Sequence, residues 1–329
     1  MNFEKNQVPL SLIDSKDQTF RITTETGIDD IVDSIKNVGL INPPILIKKK
    51  SKYTIICGFR RIAACRILGL LNIEAKIPVS NANELDCLKL AITDNSFQRP
   101  LNLIEQSKSL FMLFGFFKDI TGLADVASLL GLPCNSSLIK KIINIYHLPS
   151  PIQNCVLSNI ISLSMAVELG RFEKDAGITF AKIFNDLKLG LNKQRELITL
   201  IHEISLRENI PVIKVIQESD FQEILQNDEL VRTKKTEKLR FYLKKRRYPS
   251  ITLAEQKFEE LVKKLKLGNS MKLIPPKNFE GNTFIMKLHF NNLKDLQTHS
   301  YTLDEILQNP IFRKLVSGSR GQVSGVGDQ

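Results

Sequence analysis

The sequence predicts folded pieces in series: an α+β domain at the N-terminus, an all-α middle domain built on a helix-turn-helix, and a small α+β domain near the C-terminus. Residues 1–95 alternate β-prone runs with amphipathic helical spacing, whereas residues 96–210 show helical spacing alone. Beyond a basic stretch, the pattern changes again to a helix followed by strand-like alternation around Phe284. A chain of 329 residues with 43% apolar content is also too long for one ordinary core.

In the first domain Ile28, Ile31, Val32 and Ile35 share one helical face that ends at Gly39, and Pro43 and Pro44 then force an extended exit. Ile45–Ile47 and Tyr53–Cys57 read as two strands around the polar turn KKKSK, with Lys48, Lys49, Lys50 and Lys52 at a solvated tip. The stretch YTIICGFRRIAACRILG, residues 53–69, then passes from strand through Gly58 into a helix with Arg60 and Arg61 in its first turn. A helix N-terminus is partly positive, so each arginine there costs roughly 0.3–1 kcal/mol unless something negative answers it. A phosphate on the free amides of the turn and a carboxylate elsewhere in the chain are both consistent with these residues. A further strand, Ile73–Val79, and a helix from Glu84 to Thr93 complete the domain.

The connection DNSFQRPLNLIE, residues 94–105, reads as a hinge, with Asn102 and Glu105 spaced as a capping box for the next helix. Asn95, Gln98 and Arg99 are either solvent-exposed loop or a closure over a nucleotide at Gly58. In the second case Asp94 and Asn95 offer oxygens to Mg²⁺. Leu123, Val126, Ala127 and Leu130 form one short helical face, and Ile139, Ile142, Ile143 and Tyr146 a second, joined across LPCN. That spacing fits a helix-turn-helix and also a plain helical hairpin. The outward positions Ser136, Ser137, Lys140, Lys141 and Asn144 suit phosphates and base edges, which together with the charge of +11 favours duplex DNA as partner.

The run from Arg232 to Arg247, within a basic helical linker at 211–250, carries periodic Leu239 and Leu243 and reads as a helix. It is either a solvated face or a source of sequence-independent attraction to DNA. Residues 251–316 follow as the small α+β domain, with Phe258, Leu261, Val262 and Leu265 on one helical face, Gly268 as its cap, and Phe284, Met286, Leu288 and Phe290 alternating along a strand. Its size suggests self-association as a homodimer. The tail 317–329 has a disordered composition.

Neither a signal-peptide pattern nor a membrane-spanning apolar run is present, so a cytoplasmic protein associated with the nucleoid is expected. The five cysteines stand singly in apolar surroundings and are read as reduced core residues, and the four histidines are dispersed, which excludes a structural zinc site.

DQTFRI at 17–22, SIKNVGLINPPILI at 34–47, GFRRIAACRILG at 58–69, DNSFQRPLNLIE at 94–105 and the helix-turn-helix ending in HLP at 147–149 resemble, in order, the ParB family of bacterial and plasmid partition proteins. The resemblance covers roughly residues 8–205. It implies a ParB/sulfiredoxin-like N-terminal domain that binds CTP and Mg²⁺, a helix-turn-helix domain for a centromere-like DNA site, and a C-terminal dimerisation domain. It also implies CTP-dependent closure into a sliding clamp and a ParA-type ATPase as partner. Carried onto this chain, the nucleotide-binding residues are Gly58, Phe59, Arg60, Arg61, Asn95, Gln98 and Arg99, and the metal residues Asp94 and Asn95. Phe59 stands in place of the family's usual glutamate, Ala63 in place of a later arginine, and Asn42 where many members carry a glutamine linked to hydrolysis. The Gln98–Arg99 pair is shifted by one. The resemblance therefore leaves enzymatic activity undecided, a weak CTPase being the one it suggests. A nucleotide-independent transcriptional regulator and an enzyme on the same N-terminal fold are the alternatives. A sulfiredoxin-like reductase needs a cysteine directly after the glycine, where this chain has Phe59.

Overall fold

The structure, a computed structural model, describes residues 1–79 and 82–317. It divides into two compact units, Met1–Leu191 and Asn192–Gln329.

The first unit opens with β1 (Phe3–Pro9), β2 (Ile13–Asp14), α1 (Asp29–Val38), β3 (Ile45–Lys49), β4 (Lys52–Cys57), α2 (Phe59–Ile67) and β5 (Asn72–Pro78). The strands form a five-stranded sheet in the order β1-β5-β3-β4-β2. β3 and β4 are an antiparallel hairpin turning at Lys50, whose φ is 55°, so the lysines do form an exposed tip. Neighbouring side chains of β4 point to opposite faces. Ile55 accordingly joins Val8, Leu46, Ile62 and Ile73 in one cluster, while Ile56 joins Phe20, Ile22 and Leu88 in another.

That second cluster continues through helices α3 (Glu84–Ser96), α4 (Leu103–Phe114), α5 (Ile120–Leu129) and α6 (Ser136–Ile143), reaching Leu110, Leu123, Ile139 and Ile142. Residues on both sides of the boundary expected at 95 thus share one core, and the packing boundary falls at 191. The capping box forms as the spacing predicts, with the Asn102 side chain accepting from the Glu105 N–H and the Glu105 carboxylate accepting from the Asn102 N–H. Glu105 has no exposed surface, and its carboxylate also receives the Thr24 N–H at 2.8 Å and both terminal nitrogens of Arg99 at 2.8 Å. Burial alone would raise its pKa, but the Arg99 guanidinium and the backbone N–H groups of Thr24 and Asn102 outweigh it and hold the carboxyl below the usual range.

The second face of the helix-turn-helix pattern does not stay α-helical to Tyr146. After Ile143 the chain tightens into a 3-10 turn, Asn144–His147, where Tyr146 stacks on Phe111 of α4 at 4.3 Å between ring centroids. α7 (Ser150–Leu157), α8 (Leu163–Leu169) and α9 (Lys174–Leu187) complete the unit.

The second unit contains α10 (Leu191–Glu208), α11 (Val212–Gln217), α12 (Ser219–Gln226), α13 (Arg232–Arg247) and α14 (Pro249–Leu265). The hairpin β6 (Met271–Ile274) and β7 (Ile285–Leu288) follows, then α15 (Leu293–Gln308) and α16 (Pro310–Ser317). The basic run is α13, with Leu239 and Leu243 fully buried, so much of the expected linker is packed structure. Three of its four arginines are answered within the unit: Arg240 pairs with Glu196 at 2.8 Å, Arg247 with Glu203 at 2.8 Å, and Arg246 bridges Glu208 and Glu218.

Several local expectations are corrected. Lys266, not Gly268, takes the left-handed position that ends α14. β7 stops at Leu288, leaving Phe290 exposed, while Phe284 lies outside the strand and stacks on Phe258. Cys134 is exposed in the turn before α6, where Leu132 takes the buried place instead; Cys57, Cys65, Cys87 and Cys155 are buried as expected. The expected tail begins at Ser317, the last residue of α16; its remainder, 318–329, lies outside the described residues.

Glu105→Ala should remove about 3 kcal/mol from the first unit by leaving Arg99 and two backbone donors without their acceptor. Native-state hydrogen exchange of the α4 amides measures it, and a loss under about 1 kcal/mol would reduce the contact to an ordinary surface pair. Acid should act on both units. Glu208 is pushed down to about 2, chiefly by hydrogen bonds from Arg246, with burial opposing and Arg207 assisting. A depressed folded pKa stabilises fully above the unfolded glutamate value of about 4.3 and is lost as pH falls through the folded value. Urea midpoints should therefore hold above about pH 5 and drop below about pH 4; midpoints unchanged at about pH 3 would contradict the ionised assignments.

Candidate anion-binding site

β4 delivers the chain to Gly58, which adopts φ 92° and ψ 29° as the N-cap of α2. A side chain is excluded there twice over. The backbone is left-handed, and a Cβ would stand 2.9 Å from the Cβ of Pro44 and 3.1 Å from its Cα. α2 has neither a side-chain cap nor an acid in its first turn, so its leading amides keep the anion-attracting character of an uncapped helix start.

A cavity of about 690 Å³ lies against this turn. Gly58, Phe59, Arg60, Arg61, Asp94, Asn95, Gln98 and Arg99 all line it, so residues expected from two segments some thirty-five positions apart meet at one place. α3 extends through Ser96, which puts Asp94 and Asn95 on a helix and not in the expected hinge. Gln98 donates to Asp94 Oδ1 at 3.1 Å, and the Asn95 amide donates to the Ala91 carbonyl at 2.7 Å, leaving its oxygen as the group that can face a ligand.

The arginines are answered by carboxylates of the chain itself. Arg60 reaches Glu25 at 2.8 Å and Asp30 at 3.2 Å and donates through Nε to the Gly27 carbonyl at 2.7 Å. Arg61 pairs with Asp94 at 3.4 Å and donates to the Asn42 carbonyl at 2.7 Å. Arg99 reaches Glu25 at 3.1 Å while holding Glu105. Glu25 and Asp30 are exposed over 45% and 72% of their side chains, so each of their pairs is worth only about 0–1 kcal/mol. Their contribution was not legible locally, because Glu25 and Asp30 sit thirty or more positions from the arginines they meet.

Among the described residues no group of three or more His, Cys, Asp and Glu side chains stands close enough to cage a metal. Asp94 with the Asn95 amide oxygen fits a Mg²⁺ held mainly by phosphate oxygens, and does not fit a metal bound by protein alone. Cys57 also lines the cavity, but burial, followed by the Asp94 charge, pushes its thiol well above the usual range, so it is a poor nucleophile.

At the other expected site, Ser136, Ser137, Lys140, Lys141 and Asn144 are all exposed, while Ile139 and Ile142 on the opposite face are buried. Asn135 caps α6 by accepting the Leu138 N–H. Asn144 also lines a second cavity, of about 620 Å³, with His147 of the HLP motif and with Arg171 and Lys174, which no sequence motif singles out.

Residues 2–96 match the family model of the ParB N-terminal domain. Over 113 residues the chain is 34% identical to a probable chromosome-partitioning protein ParB of Campylobacter jejuni, covering 33% of this chain and 40% of that one. It is 25% identical over 174 residues to a nucleoid occlusion protein of Halalkalibacterium halodurans, covering 53% and 59%. The chain thus spans about half the length of these relatives. A crystal structure of C-terminally truncated ParB from Caulobacter crescentus, complexed to the centromeric parS site, aligns at 19% identity and a TM-score of 0.34, covering 57% of this chain and 96% of that one. What the chain shares with these proteins is concentrated at its start: residues 2–96 carry a ParB N-terminal domain.

Proposed function

We propose that the chain is a DNA partition protein whose residues 1–95 bind CTP with Mg²⁺ and whose residues 96–210 bind a centromere-like duplex site through α5 and α6. The observation that carries this reading is the convergence of Gly58, Arg60, Arg61, Asp94, Asn95, Gln98 and Arg99 on one cavity. Amides of an uncapped helix start would receive phosphate oxygens there, and Arg60 and Arg61 would supply charge-assisted hydrogen bonds. Asp94 and the Asn95 oxygen would hold Mg²⁺, which neutralises phosphate charge when bound. The names of the relatives, chromosome-partitioning and nucleoid occlusion proteins, support action on the chromosome.

For α6, Lys140 and Lys141 would meet phosphates, Ser136 and Ser137 would position the helix start, and Asn144 would reach a base edge. The remaining parts of the reading follow the family: CTP-dependent closure of a clamp, a homodimer through residues 251–316, a ParA-type ATPase as partner, and a cytoplasmic place of action on the nucleoid. Among the described residues no helix is long and apolar enough to cross a membrane. CTP hydrolysis rests on the least, since Asn42 meets Arg61 only through its backbone carbonyl.

One observation favours a second reading, a regulator that binds DNA without a nucleotide: Glu25, Asp30 and Asp94 already answer the arginines of the cavity. A redox enzyme is disfavoured by the buried Cys57 thiol.

Calorimetric titration with CTP and Mg²⁺, with and without DNA, separates the first two readings. Arg60→Ala should weaken CTP binding about tenfold or more while leaving thermal unfolding nearly unchanged; no CTP binding by the unaltered chain would leave the regulator standing. Lys140→Ala with Lys141→Ala should weaken DNA binding and reduce the slope of log affinity against log salt by up to about 1.8, at about 0.9 per lost phosphate contact. An unaltered slope would take α6 out of the interface.

A further inference from the structure

We infer that Glu25 is a built-in counter-anion that sets the charge class the cavity accepts, admitting a polyphosphate chain and rejecting small anions of low charge. The inference deepens the reading of the cavity as a phosphate site and rests on it.

Glu25 spans two cations that come from different parts of the fold. Its Oε2 lies 2.8 Å from Arg60 Nη1 at the start of α2, and its Oε1 lies 3.1 Å from Arg99 Nε beyond the end of α3. The carboxylate is not held there by a loose loop. On its N-terminal side Thr24 is fastened to buried Glu105 through its N–H at 2.8 Å and its hydroxyl receives the Asn102 amide at 2.8 Å. The Glu25 N–H donates to the Thr23 hydroxyl, and its own carbonyl receives an Arg21 nitrogen at 3.4 Å. On its C-terminal side the Gly27 carbonyl accepts from Arg60 Nε at 2.7 Å. A side chain tethered on both sides competes as an intramolecular ligand, at an effective concentration far above that of a free anion of equal charge.

The competition then depends on charge and reach. Orthophosphate, at most doubly charged near neutral pH, offers Arg60 and Arg99 little that Glu25 does not already supply. A polyphosphate carries several charges and is long enough to bond the amides of the Gly58 turn and Arg61 at the same time, contacts Glu25 does not make. Anchored on those contacts, a polyphosphate binds with Glu25 still on Arg99, whereas orthophosphate depends on Arg60 and Arg99 together and meets the full competition, so removing the carboxylate helps orthophosphate more.

The test is calorimetry on the full chain with sodium orthophosphate and sodium tripolyphosphate, comparing unaltered protein with Glu25→Gln. Tripolyphosphate should be preferred by the unaltered protein. In Glu25→Gln the orthophosphate affinity should rise about tenfold and the preference between the two anions should narrow. Glu25→Ala, which cannot hydrogen-bond the arginines, should narrow it in the same way, with thermal unfolding confirming that both variants fold. A preference unchanged in both variants, a loss of affinity for both anions, or no binding of either anion to any of the proteins would overturn the inference. A CTP arm keeps it distinct from the proposed function: variants that gain orthophosphate while CTP binds no better than tripolyphosphate would retain the role of Glu25 and remove the nucleotide.

Discussion

A carboxylate with no exposed surface is what the candidate site depends on. Burying an ionised glutamate is costly unless every oxygen is answered, and Glu105 is answered by the Arg99 fork and by the N–H groups of Thr24 and Asn102. The same oxygens do two jobs. Through Asn102 they close the cap of α4, a local device, and through Thr24 they hold a segment eighty-one positions away against that helix start. Arg99 can then present Nε to Glu25 because its other nitrogens are already committed. The wall of the cavity is therefore a by-product of satisfying one buried acid.

Charge is divided between the two basic residue types in a way the net value of +11 conceals. Seven arginines are spent on geometry. Arg60, Arg61 and Arg99 brace the cavity, Arg66 holds the carbonyls of Leu10 and Ile13, and Arg240, Arg246 and Arg247 tie α13 to acids of its own unit. Lysines supply the outward charge instead, on the hairpin tip at Lys48, Lys50 and Lys52 and on α6 at Lys140 and Lys141. A planar guanidinium suits fixed, bidentate pairing, and an ammonium keeps its hydration and its mobility. Within α13 too, pairing of Arg240, Arg246 and Arg247 leaves the outward charge to Arg232 and to lysines such as Lys238 and Lys245.

Elements with regular periodicity were legible in the sequence: α1, the β3–β4 hairpin, α2, the capped α4, and the α5–α6 pair all lie where spacing and capping residues put them. Gly58, Arg60 and Arg61 stood out as cations at a helix start, a pattern that fits a carboxylate of the chain as well as a phosphate, and the meeting of Asn95, Gln98 and Arg99 with them was one of two alternatives beside an exposed loop. What could not be read were partners distant along the chain. Glu25 and Asp30 look like ordinary surface acids in a threonine-rich segment, and nothing within a few residues signals their arginines. The end of α6 was missed for a similar reason, since Phe111, which stacks on Tyr146, belongs to another helix. α15 was missed because only His299 and Ile306 in it are buried, too few to produce a clear face, and α16, which does pack Ile311, Phe312 and Leu315 into the core, is only eight residues long.

α4 gives the first unit a mechanical consequence. It is twelve residues long, about 18 Å at 1.5 Å per residue, with its first turn clasped to Thr24 and Arg99 and its body packed against α6 and the turn after it. A displaced Glu25 would free Arg99 on one side only, since Glu105 still holds it on the other. Any effect of an anion on α6 would then have to pass through a shift of α4 as a body, because Leu110 and Leu113 are fully buried in the shared core and a close-packed interior transmits displacement more readily than it absorbs it. The stacked pair Phe111 and Tyr146 sits where such a shift would be felt, directly after the exposed face of α6. Communication between cavity and helix, if the chain uses it, is in this geometry a question of whether α4 has two seats, and not of a chain of contacts between them.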